Sequence, residues 1–284
     1  MWKRNKFLKI KNFFYKLYGK KTKRIPFNFE IHLTNSCNLN CKGCFHFSPL
    51  AKSNDHYPIE QFEKDINRIS ELFDGSFRWV NVLGGEPLLN NDIEKYLDIL
   101  GEKIRKGKIK LITNGIKLLS MPDSFYESCV KNNIIISITK YPIPLDYDLI
   151  VKKIESFGCK YEYFGNKCKN DSFMQPSLDK NSKLNYKDNY LKCKFSNVCI
   201  TLEKGYLYYC TIPAFVYIFN EKFGNIFDDN DNGINIYTST KNEIVEFLRI
   251  PHHFCKYCDL DYRKKNKIRW EKSNGEKEEW EKRN

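Results

Sequence analysis

The stretch Ile31-His32-Leu33-Thr34-Asn35-Ser36-Cys37-Asn38-Leu39-Asn40-Cys41-Lys42-Gly43-Cys44-Phe45-His46-Phe47 decides how the chain is read. An alternating apolar strand, beginning at Phe27, runs straight into three cysteines spaced C-x3-C-x2-C. Asn38, Asn40 and Gly43 lie between them, and these residue types tolerate the left-handed backbone that a tight ligand loop needs. Three thiolates on one short loop suit a single iron–sulfur cluster. No fourth ligand follows nearby, so one iron of such a cluster is left without a protein ligand. A structural zinc loop is the alternative reading of the three cysteines.

The spacing resembles the cluster loop of radical S-adenosylmethionine (SAM) enzymes. That resemblance implies SAM bound to the open iron through its amino and carboxylate groups. It implies reductive cleavage to a 5′-deoxyadenosyl radical, which abstracts hydrogen from a substrate, and an electron donor of the flavodoxin or ferredoxin type. Many members carry an aromatic residue just before the last cysteine, against the adenine. Gly43 stands there in this sequence, which leaves Phe45 and Phe47 as candidates for that contact.

Composition agrees with such an enzyme. The chain has 284 residues, 41% of them hydrophobic, enough to bury a sizeable core. Eleven cysteines without an apolar signal segment before them point to metal or cluster ligation in a reducing cytoplasm rather than to a secreted disulfide scaffold. Of the net charge of +13, residues 1–24 supply +10, and the remainder is close to neutral, which argues against a broad nucleic-acid footprint. Within residues 1–24 an apolar stripe (Trp2, Phe7, Ile10, Phe14, Leu17) opposes a Lys-rich face. This predicts an amphipathic helix that either lies on an anionic membrane surface or packs on its own protein.

After Pro26 strand and helix patterns alternate. Strands are predicted over 27–34, 77–83, 109–113, 134–139 and 160–164, and helices over 58–73, 92–104, 122–132 and 146–157. Repeated β-then-α units imply parallel strands with right-handed crossovers, with functional residues at the strands' carboxyl ends. Gly84-Gly85-Glu86-Pro87 sits at the second such end, Thr113-Asn114-Gly115 at the third, and Ser137-Ile138-Thr139 at the fourth. By resemblance, Gly84, Gly85, Glu86 and Pro87 contact the amino group of the SAM methionine, while Thr113, Asn114 and Ser137 line its ribose and carboxylate. Lys140 and His46 are candidate proton acceptors. Residues 166–190 lose periodicity and read as a linker or lid.

A second cysteine set follows: Cys193, eleven residues, Gly205, four residues, Cys210, then Cys255 and Cys258 as C-x2-C. A predicted β-hairpin, 198–202 and 206–209, brings Cys193 and Cys210 to neighbouring ends, and the later pair completes a four-thiolate site for zinc or an iron–sulfur cluster. The layout is similar to the twitch domain, the shortened SPASM extension of radical SAM enzymes, and to the cysteine pattern of 2-deoxy-scyllo-inosamine dehydrogenases. The resemblance implies one auxiliary [4Fe-4S] cluster at Cys193, Cys210, Cys255 and Cys258, besides the SAM-binding [4Fe-4S] cluster at Cys37, Cys41 and Cys44. His252 and His253 stand beside this set. Cys129, Cys159, Cys168 and Cys199 are left as small buried residues, with Cys168 in a polar loop. The tail 263–284 is expected to be a solvated helix or disordered, without chemistry.

The expected fold is α/β: a partial (β/α)6 radical SAM barrel (27–165) after an N-terminal helix (1–26). A linker or lid (166–190), a small β-hairpin/helix iron–sulfur domain (191–262) and a charged tail (263–284) follow. The expected activity is hydrogen abstraction from a small, carbohydrate- or cyclitol-like alcohol, oxidised with the auxiliary cluster as electron acceptor. The short segment before the first strand favours a small substrate over a peptide. A radical SAM peptide maturase or sugar epimerase, and a zinc-stabilised binding protein, are the alternatives.

Overall fold

The computed structural model describes residues 27–165, 172–230 and 232–282. The amphipathic segment 1–26 and Cys168 lie outside the described residues.

Five parallel strands form in chain order: β1 (Phe29–His32), β2 (Ser76–Leu83), β3 (Lys106–Thr113), β4 (Ile134–Ile138) and β5 (Lys160–Tyr163). Helices α1 (Ile59–Phe73), α2 (Ile93–Lys103), α3 (Asp123–Lys131) and α4 (Tyr147–Ser156) connect them. Local chemistry sets the helix ends. Pro58 is the N-cap of α1, and Asp146 caps α4 by accepting the Leu149 N–H. Asp74 and Gly75, both with φ of 56°, turn the chain out of α1.

Strand alternation sorts the side chains. Phe29, Ile31, Val80, Val82, Leu111 and Ile136 are buried in one hydrophobic core with the helices. The opposite face is polar, with Glu30 and Asn81 buried and Lys110 half-buried: Glu30 pairs across the ladder with Asn81, and Asn81 with Lys110. Asn81 donates to Glu30 at 3.3 Å, while Lys110 and Ser137 both bond to Glu162, at 2.6 and 3.0 Å. A helix not anticipated from the sequence, Thr211–Phe223, covers part of this row.

Beyond β5 the chain departs from the expected layout. The region 166–190 is not simply a linker, because it contains β6 (Ser172–Met174) and enters α5 (Tyr186–Lys192). The predicted hairpin exists as β7 (Thr201–Glu203) and β8 (Tyr206–Tyr208). It is not a detached unit: β7 pairs in parallel with β1, so the sheet runs β5-β4-β3-β2-β1-β7-β8, closed by β9 (Gly233–Asn235). The sixth parallel strand thus comes from the C-terminal region. Asp65 of α1 anchors the hairpin turn by accepting from the Gly205 N–H at 2.8 Å and from the hydroxyls of Tyr57 and Tyr237.

Helix α6 (Thr211–Phe223) is apolar nearly all round and buried, as a helix threaded through a core must be. Its Phe215 stacks on His32 at 4.1 Å, and Thr211 donates to Glu30 at 3.3 Å. Helices α7 (Lys241–Arg249) and α8 (Leu260–Lys265) follow. The tail is neither a solvated helix nor disordered over its described part. It forms β10 (Lys267–Arg269), antiparallel to β6, and Trp280 is fully buried against Phe47 and Phe219. Two indoles among charged residues were the available signal: a Trp loses too much by exposure to be a neutral occupant of a solvated tail.

Burial raises the Glu30 carboxyl to about 7, against hydrogen bonds from Asn81 and Thr211 that lower it. The folded chain then keeps a proton on Glu30 that the unfolded chain releases near 4.5. Glu30 therefore makes stability fall as pH rises from about 4.5 to about 7. Glu30→Gln is expected to reduce that slope by about one proton, read from urea unfolding at about pH 5 and about pH 7.5. An unchanged difference between the two pH values would show that Glu30 ionises freely in the folded chain.

Candidate iron–sulfur and SAM site

The cluster loop begins where β1 ends. Thr34 accepts the Ser36 N–H and donates to the Asp55 carbonyl, which turns the chain out of the sheet. Asn40 and Gly43 take positive φ, 47° and 59°, at positions where the sequence anticipated left-handed backbone. Gly43 also has no room for a side chain: a Cβ there would stand 2.9 Å from both Gln175 Cβ and the Glu279 carbonyl. An aromatic residue is excluded because the C-terminal tail already occupies that space.

The tail lies directly on the loop. Lys42 N–H donates to the Glu271 carbonyl at 3.0 Å, Ser273 N–H to Asn40 at 2.8 Å, and Trp280 Nε1 to the Cys44 carbonyl at 2.8 Å. Trp270 Nε1 donates to Cys41 Sγ at 3.2 Å. Tyr141 is also drawn in: its phenol, pushed up by burial, feels the charge of all three loop thiols. Trp270, Trp280 and Tyr141 are site residues that the sequence reading missed, because nothing local ties positions 270–280 to position 41.

The three thiols fit a cluster by their donor chemistry. Burial pushes Cys37 and Cys41 up to about 12 and raises Cys44. Backbone N–H groups of Leu39 and Asn40 face Cys37, and those of His46, Ser48 and Phe47 face Cys44. Apolar burial with N–H groups aimed at sulfur suits thiolates whose charge is offset by a metal, since coordination deprotonates a thiol outright. Among the described residues no three His, Cys, Asp or Glu side chains, these three cysteines included, are close enough to clasp a single ion. The thiols therefore suit a group larger than one ion, such as an iron–sulfur cluster.

The Gly-Gly-Glu-Pro segment meets this loop backbone to backbone. Gly85 N–H donates to the Thr34 carbonyl at 2.7 Å and Glu86 N–H to Ser36 at 2.8 Å. A Cβ on Gly84 or Gly85 would come within 2.2 Å of those two carbonyls, so both positions need glycine. Glu86 is buried; its Oε1 accepts from the Thr113 hydroxyl at 2.6 Å and its Oε2 from the Asn114 N–H at 2.8 Å. It also caps the turn opened by Pro87 through the Leu88 N–H. Burial raises its carboxyl to about 7, and among the described residues no cation pairs with it. Its oxygens accept three hydrogen bonds, and a cation placed nearby would favour its charged form. Asn114 reaches across to Asn38 of the cluster loop at 2.8 Å, so the second and third strand ends converge on the loop.

The other candidates are placed less directly. Ser137 is buried on the inner face against Glu162. Lys140 lies 4.0 Å over the Tyr163 ring and 5.1 Å over Tyr147, a cation–π position rather than one facing the thiols. His46 is lowered to about 4 by burial, opposed by a hydrogen bond to Gly84, and packs edge-on to His32 at 4.5 Å. Phe47 is inside the core, while Phe45 packs between Phe195 and Arg263.

The second cysteine set converges as well. Cys193, Cys210, Cys255 and Cys258 line one cavity together with Arg263. Cys193 ends α5, Cys210 precedes α6, and Asn189 donates to the carbonyls of both Cys255 and Cys258 at 2.9 Å. His252 is stacked on Tyr209 at 3.7 Å and bonded to the Phe247 carbonyl, and His253 is stacked on Tyr186. Neither ring faces the thiols. Cys199 is a fifth sulfur beside the set, close enough to feel Cys210 and Cys193.

Gly85→Ala is expected to push the strand end off the cluster loop. Reconstituted protein should retain less than about half of the iron bound at Cys37, Cys41 and Cys44, with the fold kept by circular dichroism. Full iron retention would show that the loop does not need this contact.

The sequence profile of the Radical SAM superfamily matches residues 31–157. Molybdenum cofactor biosynthesis protein 1 of Dictyostelium discoideum is 33% identical over 102 residues, which are 36% of this chain and 16% of that protein. The antilisterial bacteriocin subtilosin biosynthesis protein AlbA of Bacillus subtilis is 32% identical over 92 residues, 32% of this chain and 19% of that protein. The chain thus spans less than a third of either relative. The solved structure of native anSMEcpe with bound AdoMet superposes with a TM-score of 0.51 over 83% of each chain, at 15% identity, and shares the fold. The match to the radical SAM superfamily thus covers residues 31–157, somewhat less than half of the chain.

Proposed function

We propose that this chain is a radical SAM enzyme with two iron–sulfur clusters, acting on a small substrate. The observation that carries the reading is the convergence of Cys37, Cys41 and Cys44 with Gly84–Glu86 on one site. Cys37, Cys41 and Cys44 would hold the SAM-binding [4Fe-4S] cluster, and Cys193, Cys210, Cys255 and Cys258 the auxiliary one. When bound, SAM on the first cluster supplies a carbon-centred radical that takes a hydrogen atom from a substrate.

The chain's own residues orient and shield. Glu86 and the adjoining backbone carbonyls receive the SAM ammonium, while Asn114 fixes the loop against the third strand end. His46, neutral and bonded to Gly84, holds the glycine pair in place and is not free to accept a proton. Lys140 lies over two tyrosine rings, those of Tyr163 and Tyr147. The polar row of buried Glu30 and Asn81 with half-buried Lys110 and Glu162 offers donors and acceptors of the kind that a hydroxyl-rich small molecule needs.

A second site of four protein thiolates supports oxidation of a sugar- or cyclitol-like alcohol. Fully ligated irons accept an electron but offer no position for substrate. Peptide modification is the second reading, favoured by the likeness to a bacteriocin biosynthesis protein. Anaerobically reconstituted protein is expected to hold about eight irons per chain, and to release 5′-deoxyadenosine from SAM on reduction. Replacing Cys37, Cys41 and Cys44 by Ala should leave about four irons and abolish that release. Tightly bound zinc with no 5′-deoxyadenosine would overturn the assignment. Deuterium transfer from labelled cyclitols or peptides into 5′-deoxyadenosine separates the two reactions.

A further inference from the structure

Cys41 differs from its two neighbours in how its sulfur is served. Main-chain N–H groups from within or just after the loop face Cys37 and Cys44. Cys41 has its own main-chain N–H and, in addition, side-chain donors from remote parts of the chain: the Trp270 indole at 3.2 Å, with the Tyr141 phenol as the second. One antiparallel bridge, between Cys41 and Lys272, holds the indole there through two bonds: Lys42 N–H donates to Glu271, and Ser273 N–H donates to Asn40. Residues 271–273 therefore lie along the loop like an added strand, in a register that sets the indole on the sulfur. On the far side Tyr141 stacks on Phe173 of β6, the strand that pairs with β10. Both donors thus hang on the same small sheet.

We propose that Trp270 is a positioning residue that sets the reduction potential of the cluster held by Cys37, Cys41 and Cys44, by donating its indole N–H to the Cys41 sulfur. This rests on the iron–sulfur reading of those cysteines. Reduction adds negative charge that spreads onto the cluster sulfurs. A donor at 3.2 Å stabilises the reduced form more than the oxidised one, and hydrogen bonds to sulfur are among the levers that tune such potentials. Partial burial strengthens the effect, because little water is present to replace the bond. The N–H makes the cluster easier to reduce, and the reduced form is the one that reacts with SAM.

The test compares the reconstituted full chain with Trp270→Phe and with a chain carrying benzothienylalanine at position 270, an indole isostere that lacks the N–H. The midpoint potential is read by redox titration of the electron paramagnetic resonance signal that changes when SAM is added. Both replacements are expected to keep their iron and to shift the oxidised-to-reduced ratio at fixed potential on the order of tenfold toward oxidised, equivalent to about 59 mV for one electron. An unchanged midpoint with iron retained would make Trp270 a packing residue only and overturn the inference. If Trp270→Phe loses iron, the isostere decides, since it keeps the ring's volume. Loss of iron in both would place Trp270 in the folding of the loop and also overturn it. Absence of iron at the three cysteines in the unsubstituted chain is a different result, which refutes the iron–sulfur reading itself.

Discussion

The close approach of two backbones underlies the whole site. The main chain at Gly84 and Gly85 lies so near Thr34 and Ser36 that not even a methyl group fits between them. Two N–H donors bond across that gap, and buried backbone groups cannot forgo their partners without cost. A loop of three cysteines has little intrinsic reason to hold one shape. Here its entry is bound to a strand end, its middle to the tail, and its exit to the core through Phe47. Glu86 extends the same connection sideways to Thr113 and Asn114, so that three strand ends move as one body.

The second constraint is the polar inner face of the sheet. A sheet buried on both sides normally reads as a continuous apolar run, yet Glu30 and Asn81 sit buried in mid-strand, with half-buried Lys110 and Glu162 along the same face. They are tolerated because each has a partner: an amide on Glu30, an ammonium and a hydroxyl on Glu162. Helix α6 supplies Thr211 and Phe215 to the same face. The C-terminal hairpin and helix therefore complete the inner wall of the sheet, and the boundary between barrel and auxiliary unit is weaker than a division by cysteine motif implies.

The parallel strands, their helices and both cysteine arrays could be read from residue order, because each depends on local signals: alternation, helical spacing, Pro58 before a helix, short cysteine intervals. What stayed hidden depends on contacts between distant segments. The pairing of β7 with β1 could not be foreseen, since Thr201 to Glu203 looks the same whichever edge it joins. Helix α6 was overlooked because its apolar residues cover every side and give no amphipathic stripe, although Pro213 in its first turn and Gly224 at its end mark it. The tail was misjudged by composition: its charge concealed that Trp270 and Trp280 must be buried somewhere. Gly43 looked out of place only while its neighbours Gln175 and Glu279 were unknown.

The clasp between the tail and the cluster loop has a consequence for how the protein is made. Trp270 and Trp280 meet their partners across 229 and 236 positions of sequence. Contacts of such separation form late in folding, and a growing chain folds from its N-terminal side first. Until residues 270–280 have been made, the three cysteines lack the cover that the tail provides, and docking of the tail then completes their surroundings.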